Sequence, residues 1–182
     1  MAINFSTVWQ SILQFVRSPQ PRHLPETFEA RPANVFPYLL AIDFLIMIPL
    51  SGLMGLAGVE DMDHAVMDMM DQPMLLIAFA VILAPLIEEA IFRLPIGLVF
   101  KNHFKPFFWI MTTLFALVHI TNFTSGVAYY LIPLMVLPQF ILGIMLGYIR
   151  TGWSYLAAVV FHALHNGILL GIALAATSIV PE

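Results

Sequence analysis

The chain predicts an all-α fold, a polytopic transmembrane helix bundle of about five spans preceded by an N-terminal interfacial helix. Of 182 residues, 60% are hydrophobic and 10% charged, where soluble domains average roughly 25% charged. With a mean hydropathy of +0.91, a soluble fold of this length could not hide so much apolar side chain. Five stretches supply the ~20 helical residues that cross a hydrocarbon core. Basic residues also segregate as a membrane protein requires. With the N terminus inside, Arg17, Arg22, Arg31, Lys101, Lys105 and Arg150 fall on the cytoplasmic side, and Glu60, Asp61, Asp63, Asp68 and Asp71 fall opposite.

The elements follow in order. From Ile3 to Arg17, residues Phe5, Val8, Trp9, Ile12, Leu13, Phe15 and Val16 share one helical face, as in a helix lying on the membrane surface. Ser18 to Pro37 holds five prolines and reads as an extended linker. The spans are expected at Phe36 to Val59, Pro73 to Phe100, Phe107 to Phe123, Val127 to Ile149 and Trp153 to Val180. This divides the chain into an amphipathic arm and linker, 1–34, and one membrane domain, 35–182, without repeats. Gly143 and Gly147, like Gly167 and Gly171, are four apart and permit close helix approach, within the bundle or at a homo-oligomer face. The loop from Glu60 to Met74 mixes five acids, His64 and five methionines. Soft copper ions suit such ligands, but the helical spacing of Val66, Met67, Met70 and Met74 favours a surface-lying amphipathic turn.

Several classes drop out on composition. A net charge of −4 and no Lys or Arg cluster exclude nucleic acid as a partner. Cysteine is absent, which removes disulfides, thiolate nucleophiles and Cys-based metal sites. Met1 to Val16 lacks an early basic region and a small-residue cleavage site, against a cleaved signal peptide.

Polar residues inside the spans cost on the order of 2.5 to 3.5 kcal/mol per charge and are rarely idle. Counted from the cytoplasmic ends at ~1.5 Å per residue, Glu88 and His119 lie about 18 Å deep, Asn166 about 20 Å and His162 about 14 Å. Three helices thus bring polar groups into one slab. Glu89 and Arg93 stack four apart as an ion pair, and Glu88 is rotated from them by about 100°. His162 and Asn166 are also four apart and face one space. Pro85 and Pro95 bracket the acidic residues, and a proline inside a helix kinks it and frees carbonyls, consistent with a cavity.

The three patterns, Glu-Glu-x-x-x-Arg at Glu88, Glu89 and Arg93, Phe-x-x-x-His at Phe115 and His119, and His-x-x-x-Asn at His162 and Asn166, resemble the signature motifs of the CPBP or Abi family. That family contains CAAX prenyl endopeptidases and bacteriocin-processing or self-immunity membrane proteases. The resemblance covers roughly Leu75 to Leu170 and implies peptide-bond hydrolysis within the membrane. A carboxylate held away from bulk water can take a proton from a bound water near neutral pH, which makes Glu88 the general base. His119 would hold or polarise that water. His162 and Asn166 would donate to the oxyanion, and Glu89 and Arg93 would brace the helix. No cofactor is required on this reading. Zn²⁺ is the alternative, with Glu88, His119 and His162 as ligands, although His-Glu-x-x-His is missing and Glu89, the remaining base, is engaged by Arg93.

Blander uses stand beside these. A buried Glu-Arg pair is often only structural, Glu88 could be a neutral carboxyl bonded to another helix, and His119, His162 and Asn166 could be polar glue between spans. His165 falls outside the motifs and reads as packing or support for His162. Asp43, in the first span, would pair with an arginine or face the cavity, but no motif includes it and structural use is favoured. A scaffold binding partner helices and a small transporter are the competing classes, the latter weakened by the lack of an inverted repeat. Nothing in these residues specifies a prenyl groove, so a bacterial peptide or membrane-protein substrate is expected, with the protein multi-pass in the lipid bilayer of a bacterial cytoplasmic membrane.

Overall fold

The structure, a computed structural model, describes residues 2–21, 24, 28, 32–59, 69–98, 101–123 and 128–179. Among these it is helical, without a β-strand. Helix α1 (Phe5–Arg17) starts on a capping box, in which Asn4 Oδ1 accepts from the Thr7 amide at 3.0 Å and the Asn4 amide donates to Thr7 Oγ1 at 3.1 Å. Its apolar face does not lie on lipid alone. Val8, Ile12 and Phe15 are buried in the bundle core, Phe15 packs edge-on to Phe108 and Tyr148, and Ser11 Oγ bonds Tyr148 Oη at 2.8 Å. The expected N-terminal helix is therefore present and docked on the bundle. Tertiary packing offers its aromatic face better-shaped partners than acyl chains do.

Five helical segments are long and apolar enough to cross a membrane. The first is α2 (Pro32–Leu56), which contains Pro37 and Pro49. It begins four residues earlier than expected, because Pro32 is well suited to an N-terminal helical position and ends the linker there. The second span is composite: α3 (Pro73–Ile77), a π-helical turn over Ala78–Leu83, α4 (Ala84–Phe92) and a 3-10 stretch at Pro95–Leu98. The third is α5 (Phe104–Val118) with a 3-10 turn over His119–Asn122. It starts three residues before the expected Phe107. The fourth comprises a 3-10 turn at Tyr129–Leu131 and α6 (Ile132–Gly152). The fifth is α7 (Tyr155–Ile179), where Ser154 Oγ caps the Ala157 amide at 3.1 Å.

Helix α6 is the centre, packed by α5, α7, α2 and α1. Around it, Leu45, Ile48, Ile82, Ile110, Leu156, Val160 and Ile172 point outward and are exposed, the arrangement a bundle takes when its solvent is hydrocarbon. The glycine pairs resolve differently. A Cβ on Gly147 would run into the Phe108 ring and one on Gly143 would touch Phe115 and Arg93, so both serve packing inside the bundle, while Gly171 has nothing within 4 Å. Residues 60–68 of the acidic, methionine-rich loop, and Arg22 and Arg31, lie outside the described residues.

Candidate active site

Glu88 occupies α4 one turn before its end, and its Oε2 lies 3.6 Å from His119 Nε2 and 3.8 Å from His162 Nε2. These three side chains come from three different spans, α4, the turn after α5, and α7, so the depth coincidence read from the sequence is a real convergence. Both separations are longer than a direct hydrogen bond. Glu88 Oε2 is buried with no hydrogen-bond partner among the described residues.

Each imidazole is oriented from behind. His119 Nδ1 lies 2.7 Å from the Phe115 carbonyl. A carbonyl only accepts, so Nδ1 carries the hydrogen and Nε2 is left to face Glu88. The helix ends there, because the 3-10 turn at His119–Asn122 tightens the backbone just where the side chain must turn inward. His162 Nδ1 lies 3.0 Å from Glu89 Oε1, again an acceptor, and its Nε2 likewise faces Glu88.

Glu89 and Arg93 form the expected ion pair, Nε to Oε2 at 3.6 Å, and both are essentially fully buried. Arg93 Cζ sits 3.8 Å from the Phe115 ring centroid, a cation–π contact, and Nη2 donates to the Gly143 carbonyl at 3.4 Å. The Glu89 contact to His162 was not foreseen. A pair four apart on one helix reads as self-contained, whereas the burial of Glu89 brings α7 against it. Phe115 is the other residue whose role the sequence left open. Its ring lies between Arg93, His119 at 4.7 Å and His162 at 5.9 Å, the wall on which all three rest.

Asn166 is placed differently from the rest. Its Nδ2 donates to the Ala80 carbonyl in the π-helical turn at 2.8 Å, so one of its two N–H groups is committed to the backbone of the second span. Asp43 and His165 pair with each other, in keeping with the structural use expected of both. Asp43 meets no arginine among the described residues. Its Oδ2 accepts from His165 Nδ1, and the His165 ring stacks on Phe44 with centroids 5.5 Å apart.

For a metal, the donor set is the test. Among the described residues no three His, Cys, Asp or Glu side chains are grouped to hold an ion. Ligand atoms bonded to one tetrahedral zinc at about 2.0 to 2.2 Å stand about 3.3 to 3.6 Å apart, and Glu88 Oε2 lies 3.6 and 3.8 Å from the two imidazole Nε2 atoms. Glu88, His119 and His162 are the residues that would hold such an ion.

Neither the curated proteins nor the solved structures give a match to this chain. A family model described as type II CAAX prenyl endopeptidase Rce1-like matches residues 70–168, a stretch that holds every residue of the three motifs, the second to fourth spans and the first part of α7. The chain therefore belongs to the Rce1-like family of membrane proteases.

Proposed function

We propose that this protein is an intramembrane endopeptidase in which Glu88 activates a water for attack on a peptide carbonyl. The observation that carries the reading is the facing of Glu88 Oε2 toward two imidazole Nε2 atoms at 3.6 and 3.8 Å. Such gaps admit a water within hydrogen-bond reach of Glu88 and an imidazole. The water gives one proton to Glu88, its other hydrogen points to His119 Nε2, and its oxygen adds to the carbonyl carbon. His162, braced by the Glu89 carboxylate, supports the oxyanion when it enters the reaction already as the imidazolium, Nδ1–H donating to Glu89 and Nε2–H to the oxyanion, with both protons staying on the ring throughout. Collapse of the adduct breaks the C–N bond, and the proton held by Glu88 passes to the leaving amine.

The family name points to prenylated CAAX substrates, while the residues themselves favour a broader class, a peptide or membrane-protein segment presented within the bilayer. We also infer that the N terminus faces the cytoplasm. In support, Lys105 Nζ lies 3.3 Å from the Arg17 carbonyl, which gathers basic residues from α1 and α5 at one end of the bundle.

The test is cleavage by the protein in proteoliposomes of a farnesylated peptide ending in a CAAX sequence and of its unprenylated counterpart, read by mass spectrometry. Glu88→Gln, His119→Ala and His162→Ala are expected to lose roughly 100-fold or more in kcat while still inserting. Full activity in Glu88→Gln refutes the reading. Metal content of the active protein, with activity in chelator, judges the zinc alternative.

A further inference from the structure

The π-helical turn carries a backbone problem that the sequence solves with a side chain. In this turn the Ala84 amide donates five residues back, to the Phe79 carbonyl. One step further in that register, the amide of residue 85 would reach the Ala80 carbonyl. Residue 85 is proline and has no N–H to give. A carbonyl without a partner inside a membrane bundle finds no water, so the lost bond must be replaced from elsewhere. Asn166 Nδ2 supplies it at 2.8 Å.

Helix α7 grips the acidic segment at a second point, where Tyr155 Oη donates to the Leu86 carbonyl at 2.9 Å. The two contacts flank Pro85. Close packing permits them, since a Cβ on Gly167 would sit 3.6 Å from Val81 Cγ1, in ordinary van der Waals contact.

The turn matters for aim. A five-residue turn accommodates one extra residue, and each residue of a helix rotates the side chains by about 100°. Reversion to a four-residue register would swing Glu88 by that amount relative to α3, away from His119 and His162.

We propose that Asn166 is a positioning residue of the acidic segment: its N–H replaces the one Pro85 lacks, holds the turn at Ala78–Leu83 closed, and so aims Glu88 between the two histidines. The proposal rests on the reading of Glu88 as general base. Because Asn166 lies one helical turn from His162, a single helix fixes both the carboxylate's direction and one of its partners.

The experiment is a double-mutant cycle of Asn166→Ala and Pro85→Ala, with kcat and KM for the farnesylated peptide and the thermal unfolding midpoint in detergent. In the Pro85 background, Asn166→Ala is expected to lower kcat roughly 100-fold, as misplacement of a reacting group by about 1 Å does, with KM within about 2-fold and a reduced midpoint. In the Pro85→Ala background, the backbone regains an N–H at that position for the Ala80 carbonyl. There the same change should cost less than about 10-fold and leave the midpoint nearly unmoved. Asn166→Leu, which is close in size and cannot donate, should follow the alanine variant. Equal losses of kcat and midpoint in both backgrounds overturn the proposal. If Pro85→Ala is itself inactive, the midpoints alone decide: unequal shifts support the coupling and equal shifts overturn it. Glu88→Gln, assayed alongside, keeps the two readings apart, since its full activity would remove the general base while the midpoints still judge the Pro85–Asn166 link.

Discussion

Glu89 holds His162 through Nδ1 at 3.0 Å while it reaches Arg93 at 3.6 Å, so one buried carboxylate serves both its own segment and the histidine of another span. Glu89 is thus more than a brace. Glu89→Gln keeps an acceptor for Nδ1–H but removes the negative charge that favours an imidazolium and compensates Arg93. A buried guanidinium left without its anion costs about 3 to 5 kcal/mol of stability. Steady-state kinetics on the farnesylated peptide should show kcat reduced roughly 10- to 100-fold with KM little changed, and the unfolding midpoint should fall. Unaltered kcat would return Glu89 to a purely structural role.

The Arg93 guanidinium occupies space that only a glycine leaves open. A Cβ on Gly143 would stand 3.1 Å from Phe115 Cδ1 and 3.2 Å from both Arg93 Nη2 and Thr112 Cγ2. Overpacking of this kind costs about 1 to 3 kcal/mol. Gly143→Ala should therefore lower both the midpoint and kcat by displacing the wall on which the two histidines rest. Gly171→Ala, with nothing within 4 Å, is the control and should leave both unchanged. If the two variants behave alike, Gly143 is only a contact between helices.

How much of this was legible in the sequence depends on what each residue must meet. The convergence of Glu88, His119 and His162 was readable because each sits at a similar depth in its own apolar stretch. The Asp43–His165 pair was not, although it obeys the same rule. With the first span begun at Phe36, Asp43 lies about 10 Å deep against about 18 Å for His165 counted from Trp153. With the helices starting at Pro32 and Tyr155, the depths become about 16 and 15 Å. The π-helical turn left no mark either, since Met74 to Leu83 is apolar on every face and one extra residue in a turn breaks no pattern. What the sequence did show there was the consequence, a proline one turn before Glu88.

The orientation inferred from the basic residues makes its own prediction. Lys105 and the C-terminal end of α1 lie together at one end of the bundle, and the 3-10 turn at His119–Asn122 lies at the opposite end of α5. The chain has no native cysteine, so single cysteines report without background. Ser18→Cys and Lys105→Cys should react with a membrane-impermeant maleimide only from the cytoplasmic side, and Thr121→Cys only from the other. Labelling of Lys105→Cys from outside would invert the topology.

Asp43 and His165 tie the first span to the fifth through a hydrogen bond buried on both sides, one helical turn from His162. Asp43 Oδ1 has no hydrogen-bond partner among the described residues, so the pair is already imperfectly satisfied. Removing one partner leaves the other desolvated, at about 1 to 3 kcal/mol or more if charged, whereas replacing both by apolar groups can be nearly neutral. Asp43→Leu and His165→Leu should each lower the midpoint, and the double variant should recover most of the loss. Activity per folded molecule should stay within about 3-fold throughout, because the two side chains bond each other and lie outside the three motifs. A fall in kcat of roughly 100-fold at an unchanged midpoint would instead make the pair a participant in the chemistry, handling a proton one helical turn from His162.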